Sequence, residues 1–130
     1  MTMIDITTRV NERIDLHVRR ATLEMFRSIV MTTPVDTGRA KGNWLPSVDS
    51  PRNEVTDRLD KSGDRVMTEI ITTVPEKAGY VVWLCNNVDY IRKLEYGGSK
   101  QAPNGMVRLA VAKFKSTFSV DLAKSLSQIK

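Results

Sequence analysis

The 130 residues contain one histidine, His17, and one cysteine, Cys85, and those two counts bound the available chemistry. A metal site needs several His, Cys or carboxylate ligands brought together, whereas the carboxylates here are scattered, as at Asp57 and Asp60. Nucleophilic catalysis through a histidine has only His17 to use. It lies at the border of an apolar stripe with no sequence neighbour to orient or tune it, and reads as a structural or surface residue. No serine stands in a G-x-S-x-G elbow. Cys85, beside Val82, Trp83 and Leu84, reads as a small buried hydrophobe and has no partner for an internal disulfide. The expectation is a protein that is not an enzyme, with no catalytic residue, cofactor or metal.

The stretch GGSKQAPNG, residues 97–105, invites a test for phosphate binding. A P-loop needs G-x-x-x-x-G-K-[ST], so that consecutive backbone N–H groups wrap the phosphates while the lysine and hydroxyl reach beyond them. Here the lysine follows a serine, Pro103 removes a donor, and Gly105 precedes methionine. The pattern fails. Glycines 97 and 98 instead close one helix, and Pro103 with Asn104 is expected to open the next.

The bulk composition is that of a soluble folded domain, 41% hydrophobic and 27% charged, and the whole chain, 1–130, reads as a single domain. No apolar run approaches the ~18 residues of a membrane span. The start, MTMIDITTRVNERID, lacks an apolar signal core, so synthesis and retention in the cytoplasm are expected. A net charge of +5 and a pI near 9.6 raise the alternative of a small basic nucleic-acid-binding protein. Its one specific feature is a row of Arg9, Arg13, Arg20 and Arg27. Acidic residues are interspersed nearly everywhere, which favours a solvated or interface-forming surface.

Val10, Ile14, Val18, Ala21, Met25 and Ile29 recur at spacings of three and four in a stretch from Asp5 to Thr32 without glycine or proline, which predicts one long amphipathic helix. Leu16, Leu23 and Val30 form a second apolar line beyond the arginines. That line rests either on another element of the fold or on another subunit. Pro34 ends the helix, and Asp36 or Thr37 can cap a short turn through Arg39 and Lys41. A strand is expected near Trp44–Val48. Residues 46–63, rich in proline and charge, read as an exposed, partly mobile loop. Asp64–Val74 reads as a helix with Val66, Met67, Ile70, Ile71 and Val74 on one face and Ser62 as a possible cap. Tyr80–Asn87 reads as a buried strand, Asp89–Tyr96 as a short helix, and Gly105–Ser127 as a second amphipathic helix carrying Val107, Val111, Phe114, Phe118 and Leu122 on one side. The fold class is α+β: a small antiparallel sheet packed by a long N-terminal and a C-terminal helix, with a long exposed loop.

TPVDTGRAKGNW at 33–44 and NNVDYIRKLEYGGSKQAPNGMVRLAVAKF at 86–114 together resemble the neck and minor-tail family of tailed bacteriophages, of the minor tail protein Z type with its tail-completion relatives. That family carries T-P-V-D-T-G-R after a first helix, then N-N-x-x-Y, an L-E-x-G turn and an S-K-Q-A-P-x-G-M-V helix start, in this order and at similar spacing. Residues 46–63 match least. Val88-Asp89 stands where the family often has an apolar residue and proline, and Gly98 where an aromatic is common. The resemblance implies a virion structural subunit of the head-to-tail junction, made in the host cytoplasm. It would assemble as a homo-oligomeric ring, sixfold like the tail tube, around the DNA channel. Other neck, tail-terminator or tail-tube proteins would be its partners, and DNA would pass without sequence-specific binding. Subunit contacts would fall at Leu16, Leu23, Val30, Arg39, Glu95, Tyr96, Gly97, Gly98, Lys100 and Gln101, with 46–63 as an arm reaching an adjacent ring or the channel wall.

Overall fold

The computed structural model describes residues 2–129. Helix α1 spans Met3–Thr32, 30 residues or about 45 Å at 1.5 Å per residue. A reciprocal cap starts it: the Thr2 hydroxyl oxygen accepts from the Asp5 N–H at 3.2 Å, and the Asp5 carboxylate accepts from the Thr2 N–H at 3.1 Å. Thr33, extended ahead of Pro34, ends it. The C-terminal third of α1 holds the core. Phe26, Ile29 and Val30 pack with Trp44, Ala102, Met106 and Ala110, and with Val66, Ile70 and Val74 from helix α3 (Asp64–Thr73) and the residue after it. Those last three recur every four residues, as one buried helical face requires.

Between α1 and α3 lie a single helical turn, α2 (Arg39–Gly42), and strand β1 (Leu45–Val48). Strand β2 (Val82–Cys85) pairs with β1 antiparallel, Leu45 opposite Cys85 and Val48 opposite Val82. The Asp49 N–H continues this ladder to the Val81 carbonyl at 2.7 Å. Leu45, Ser47 and Asp49 therefore face β2 with their hydrogen-bonding groups, and Pro46, which has no N–H, takes the outward parity. Helix α4 (Ile91–Glu95) and helix α5 (Val107–Ser127) complete the chain. Helix α5 runs back antiparallel along α1: Lys113 reaches Glu24, and Phe118 lies 4.9 Å from the His17 ring. This is the expected α+β class, with a two-stranded antiparallel sheet. No helix among the described residues is long and apolar enough to cross a membrane.

Three expectations are corrected. The strand at Tyr80–Asn87 is shorter and not buried: Trp83 is 39% exposed, because a two-stranded sheet with a helix on one side leaves its other face to solvent. The second apolar line of α1 is not a separate surface. Val30 is fully buried and Leu23 packs on the chain's own core, while Leu16 stays 40% exposed. The core sits against the C-terminal third of α1, so the C-terminal end of the line enters it and the N-terminal end lies beyond it.

The third correction concerns residues 46–63. Pro46, Asp60 and Gly63 are buried, and the segment is tied down along its length. The Asn43 side chain is fully buried. Its amide donates to the Arg39 and Thr56 carbonyls at 2.8 and 3.2 Å and accepts from the Thr56 N–H at 2.8 Å. Arg58 Nε donates to the Gly42 carbonyl at 2.6 Å, and the Asn87 amide donates to the Arg52 and Glu54 carbonyls. The Asp60 carboxylate accepts from the Val66 N–H at 3.0 Å, satisfying a donor in the first turn of α3. Ser62, the expected cap, lies one residue early: the N-cap position is Gly63, and the Ser62 hydroxyl accepts from the Asp64 N–H at 3.2 Å. The segment is thus a strap and not a free arm.

Replacing Asn43 with alanine would strand buried backbone groups of Thr56, each expensive to leave without a partner. Asn43→Ala is expected to lower stability by about 2–4 kcal/mol, read as a lower urea midpoint at unchanged slope. An unchanged midpoint would show that the strap is loose in solution.

Candidate functional site

The two stretches that carry the resemblance meet in one corner of the molecule. Trp44 Nε1 donates to the Thr33 hydroxyl oxygen at 2.8 Å, and that hydroxyl donates to the Ile29 carbonyl at 2.7 Å, tying the first stretch to the end of α1. The Gln101 side-chain amide brackets one residue of that stretch: Oε1 accepts from the Val35 N–H at 2.9 Å and Nε2 donates to the Val35 carbonyl at 3.2 Å. Asn86 Nδ2 donates to the Ala40 carbonyl at 2.8 Å. The Gln101 amide stands in for a β-ladder partner of Val35, while Asn86 adds a second bond to an Ala40 carbonyl that already accepts from the Asn43 N–H.

Glu95 is the centre of the second stretch. Its Oε1 accepts from the N–H groups of Met106 and Val107 at 2.9 and 2.8 Å, and its Oε2 accepts from the Arg108 N–H at 3.1 Å. One carboxylate thus satisfies donors at the start of α5, where the helix dipole also favours negative charge. Arg108 closes the arrangement. Its Nε donates to Glu95 Oε2 at 3.1 Å, a terminal nitrogen reaches the Glu95 carbonyl, and its guanidinium lies 4.9 Å from the centre of the Tyr96 ring. Pro103 and Asn104, expected to open α5, sit in the turn before it. The N-cap position is Met106, without a side-chain cap of its own.

The glycines follow from this geometry. Gly97 has φ +86°, and a Cβ there would come within 2.8 Å of the Pro103 carbonyl oxygen. Gly105 has φ +83°, and a Cβ there would collide with the Glu95 backbone and carboxylate. Both positions combine left-handed backbone with close approach, which only glycine meets without strain.

A cleft of about 310 Å³ opens between the two stretches, lined among others by Asp36, Thr37, Arg39, Tyr90, Ser99 and Gln101. Arg39 sits 6.0 Å from the centre of the Tyr90 ring. The walls offer a guanidinium, hydroxyls and an exposed carboxylate, which suits polar recognition. His17 lies far along α1 with Nε2 3.2 Å from the Phe118 carbonyl, an acceptor that the ring meets by carrying its proton on that nitrogen. Cys85, expected to be buried, is half-buried and free. Among the described residues no three His, Cys, Asp or Glu side chains are grouped to hold a metal ion.

Of the residues assigned to subunit contacts, the structure gathers Arg39, Glu95, Tyr96, Gly97, Gly98, Lys100 and Gln101 around this corner and leaves Leu16 remote from it. Glu95 and Gln101 are corrected to internal roles, since their polar atoms are engaged by the chain's own backbone. Val30 is corrected to a core residue, and Leu23 to one that supports the core. Tyr96, 72% exposed, Lys100 and Leu16 remain presented to the outside. Sequence reasoning missed Asn43, Asn87 and Arg108 as architectural residues. Apart from the Arg39 carbonyl near Asn43, their hydrogen-bond partners lie 13 or more positions away, and no periodicity marks such a pairing. No protein-family model, curated protein or solved structure matches this chain.

Burial pushes the Glu95 pKa up, but hydrogen bonds from the backbone of Val107, Met106 and Arg108 and from the Arg108 side chain outweigh it. The carboxyl is held below the ordinary glutamate range. A depressed folded-state value means stability that is fully present above the unfolded-state value and lost as pH falls through the folded one. Glu95→Gln should cost about 1–2 kcal/mol at neutral pH. Denaturation of both proteins across acid pH should show the gap closing below the ordinary carboxylate range. A pH-independent gap would mean that packing, and not charge, gives Glu95 its importance.

Proposed function

We propose that this chain is a structural subunit of a phage head-to-tail junction, a neck or tail-completion protein that assembles with copies of itself into a ring around the DNA channel and catalyses no reaction. One observation carries the reading: the pair of helices α1 and α5 leaves its apolar seam half covered. Of the 21 residues of α5 only Ala110 is buried, while Phe114, Phe118 and Leu122 on its apolar side are each covered only in part. Two helices side by side cannot enclose a seam of that width; a third surface is needed. Leu109 and Val120 are about half exposed on the same helix. Surplus apolar surface of this extent marks a place where proteins meet.

The corner described above supports the same reading. Its Gln101, Asn86 and Glu95 side chains are engaged in holding backbone, which makes a rigid shape. The ordered motif pair at 33–44 and 86–114 supplies the specific identity of the assembly. For the nucleic-acid alternative the arginine row is the one favourable feature. Glu24 and Asp121 line the same groove as Arg13 and Arg20, which dilutes the positive field a duplex would require.

Sedimentation and electron microscopy of the purified chain test the proposal. Closed multimers that form with rising protein concentration and change little with salt are expected. A chain that stays monomeric at millimolar concentration, yet retains duplex DNA with an affinity falling steeply with salt, would establish the alternative instead.

A further inference from the structure

A ring built from identical copies needs two different, mutually complementary surfaces on each copy, because every contact is head to tail. We propose that these surfaces are the groove between α1 and α5 and the outward side of the strap at residues 55–59, so that the strap of one copy seats in the groove of the next. The inference rests on the ring reading and names the joint that closes it.

The groove has a volume of about 310 Å³. Its apolar floor is the stacked pair Phe114 and Phe118, ring centres 4.8 Å apart, with Met25 and Ala110 at one end. Its rim is basic on balance. Arg13, Arg20, Lys113 and Lys124 outnumber Glu24 and Asp121 along it; Arg13, Arg20 and Lys124 are in no ion pair among the described residues, and Lys113 has only a long contact of 3.7 Å to the exposed Glu24. An occupant must therefore bring apolar side chains and negative charge together.

The strap has that character. From Val55 to Asp60 its residues alternate between exposed and turned inward, the period of an extended chain. Thr56, Arg58 and Asp60 face the fold and are held there, by Asn43, by the Gly42 carbonyl and by the start of α3. Val55, Asp57 and Leu59 face out, with Val55 46% and Leu59 57% exposed. This is an apolar, acidic, apolar ridge, with Asp57 in no ion pair among the described residues. Its two apolar ends are about 13 Å apart at 3.3 Å per residue, short enough to lie along a groove lined from Ala110 to Gln128. The inward bonds hold the ridge rigid before contact, which reduces the ordering cost of association. A second copy fits better than groove against groove, because pairing two basic rims would set like charges together.

The test uses two full-length variants altered only at exposed or half-exposed positions. One is Arg13→Glu with Arg20→Glu, which reverses the rim; the other is Val55→Asp with Leu59→Asp, which ruins the ridge. Circular dichroism should show both folded as wild type. Light scattering should show each self-associating about a hundredfold more weakly, as loss of two anchors predicts. The decisive sample is their equimolar mixture. The rim variant keeps its ridge and the ridge variant keeps its groove, so one working joint remains and a discrete heterodimer should appear. If wild type forms rings and either variant does so equally well, the joint lies elsewhere and the ring reading survives. If both variants are impaired but the mixture stays monomeric, the two surfaces do not meet each other and the inference fails. Wild type that never assembles overturns the ring reading and this joint together.

Discussion

The carboxylate of Glu95 decides where the last third of the chain goes. Helix α5 fully buries one residue, Ala110, and lies along α1 from that residue in the core to Phe118 beside His17; its first turn fixes where that packing begins. There, three backbone N–H groups converge on one carboxylate, and Arg108 folds back to neutralise it. A charge-assisted set of bonds in a half-sheltered place is worth more than the same bonds in water. The chain reversal at 97–106 exists in the form that brings Glu95 and Met106 together, and the left-handed backbone at Gly97 and Gly105 is the geometric condition for it. Without that anchor α5 would have only a half-covered apolar side to hold it against α1.

A related economy runs through the rest of the fold. The sheet has two strands and the core is drawn from one end of α1, one face of α3 and a few residues of the corner. Long connecting segments therefore need other means of support. Asn43, Asn86, Asn87, Gln101 and Arg58 provide it by reaching backbone groups far away in sequence, and Asp60 by holding the start of α3. Side-chain amides suit this task because each presents a donor and an acceptor in one plane. Polar residues clustered in glycine-rich loops look like a binding site when read along the chain. Here they are largely the mortar of the loop itself, which is why a phosphate-binding reading of 97–105 fails in space as it does in pattern.

What the architecture leaves unsatisfied lies on the outside. Apolar side chains stay half exposed along α1 and α5, and the strap holds Val55 and Leu59 outward on a rigid backing. A chain with that distribution is stable enough to fold around its compact end and incomplete along its helical pair. The proposed ring, and the strap-in-groove joint within it, complete the molecule by covering those surfaces with another copy.

Much of this was legible in the order of residues. The 3.6-residue recurrence of Val10 through Ile29 and of Val107 through Leu122 determined two long helices, with Pro34 just past the end of the first and the glycines at 97 and 98 just past the short helix α4 that precedes the second. Those signals are local, set by backbone geometry over a few turns. The fate of Val30, the tethering of 46–63 and the engagement of Glu95 and Gln101 were decided only by the tertiary structure. Each depends on which distant segment arrives opposite: whether α3 covers one side of α1, whether Thr56 comes to Asn43, whether the reversal at 97–106 delivers the start of α5 to a waiting carboxylate. A hydrogen bond between residues 66 apart, as from Val35 to Gln101, leaves no period in a sequence, because the chain between them is free to take any path that closes the loop.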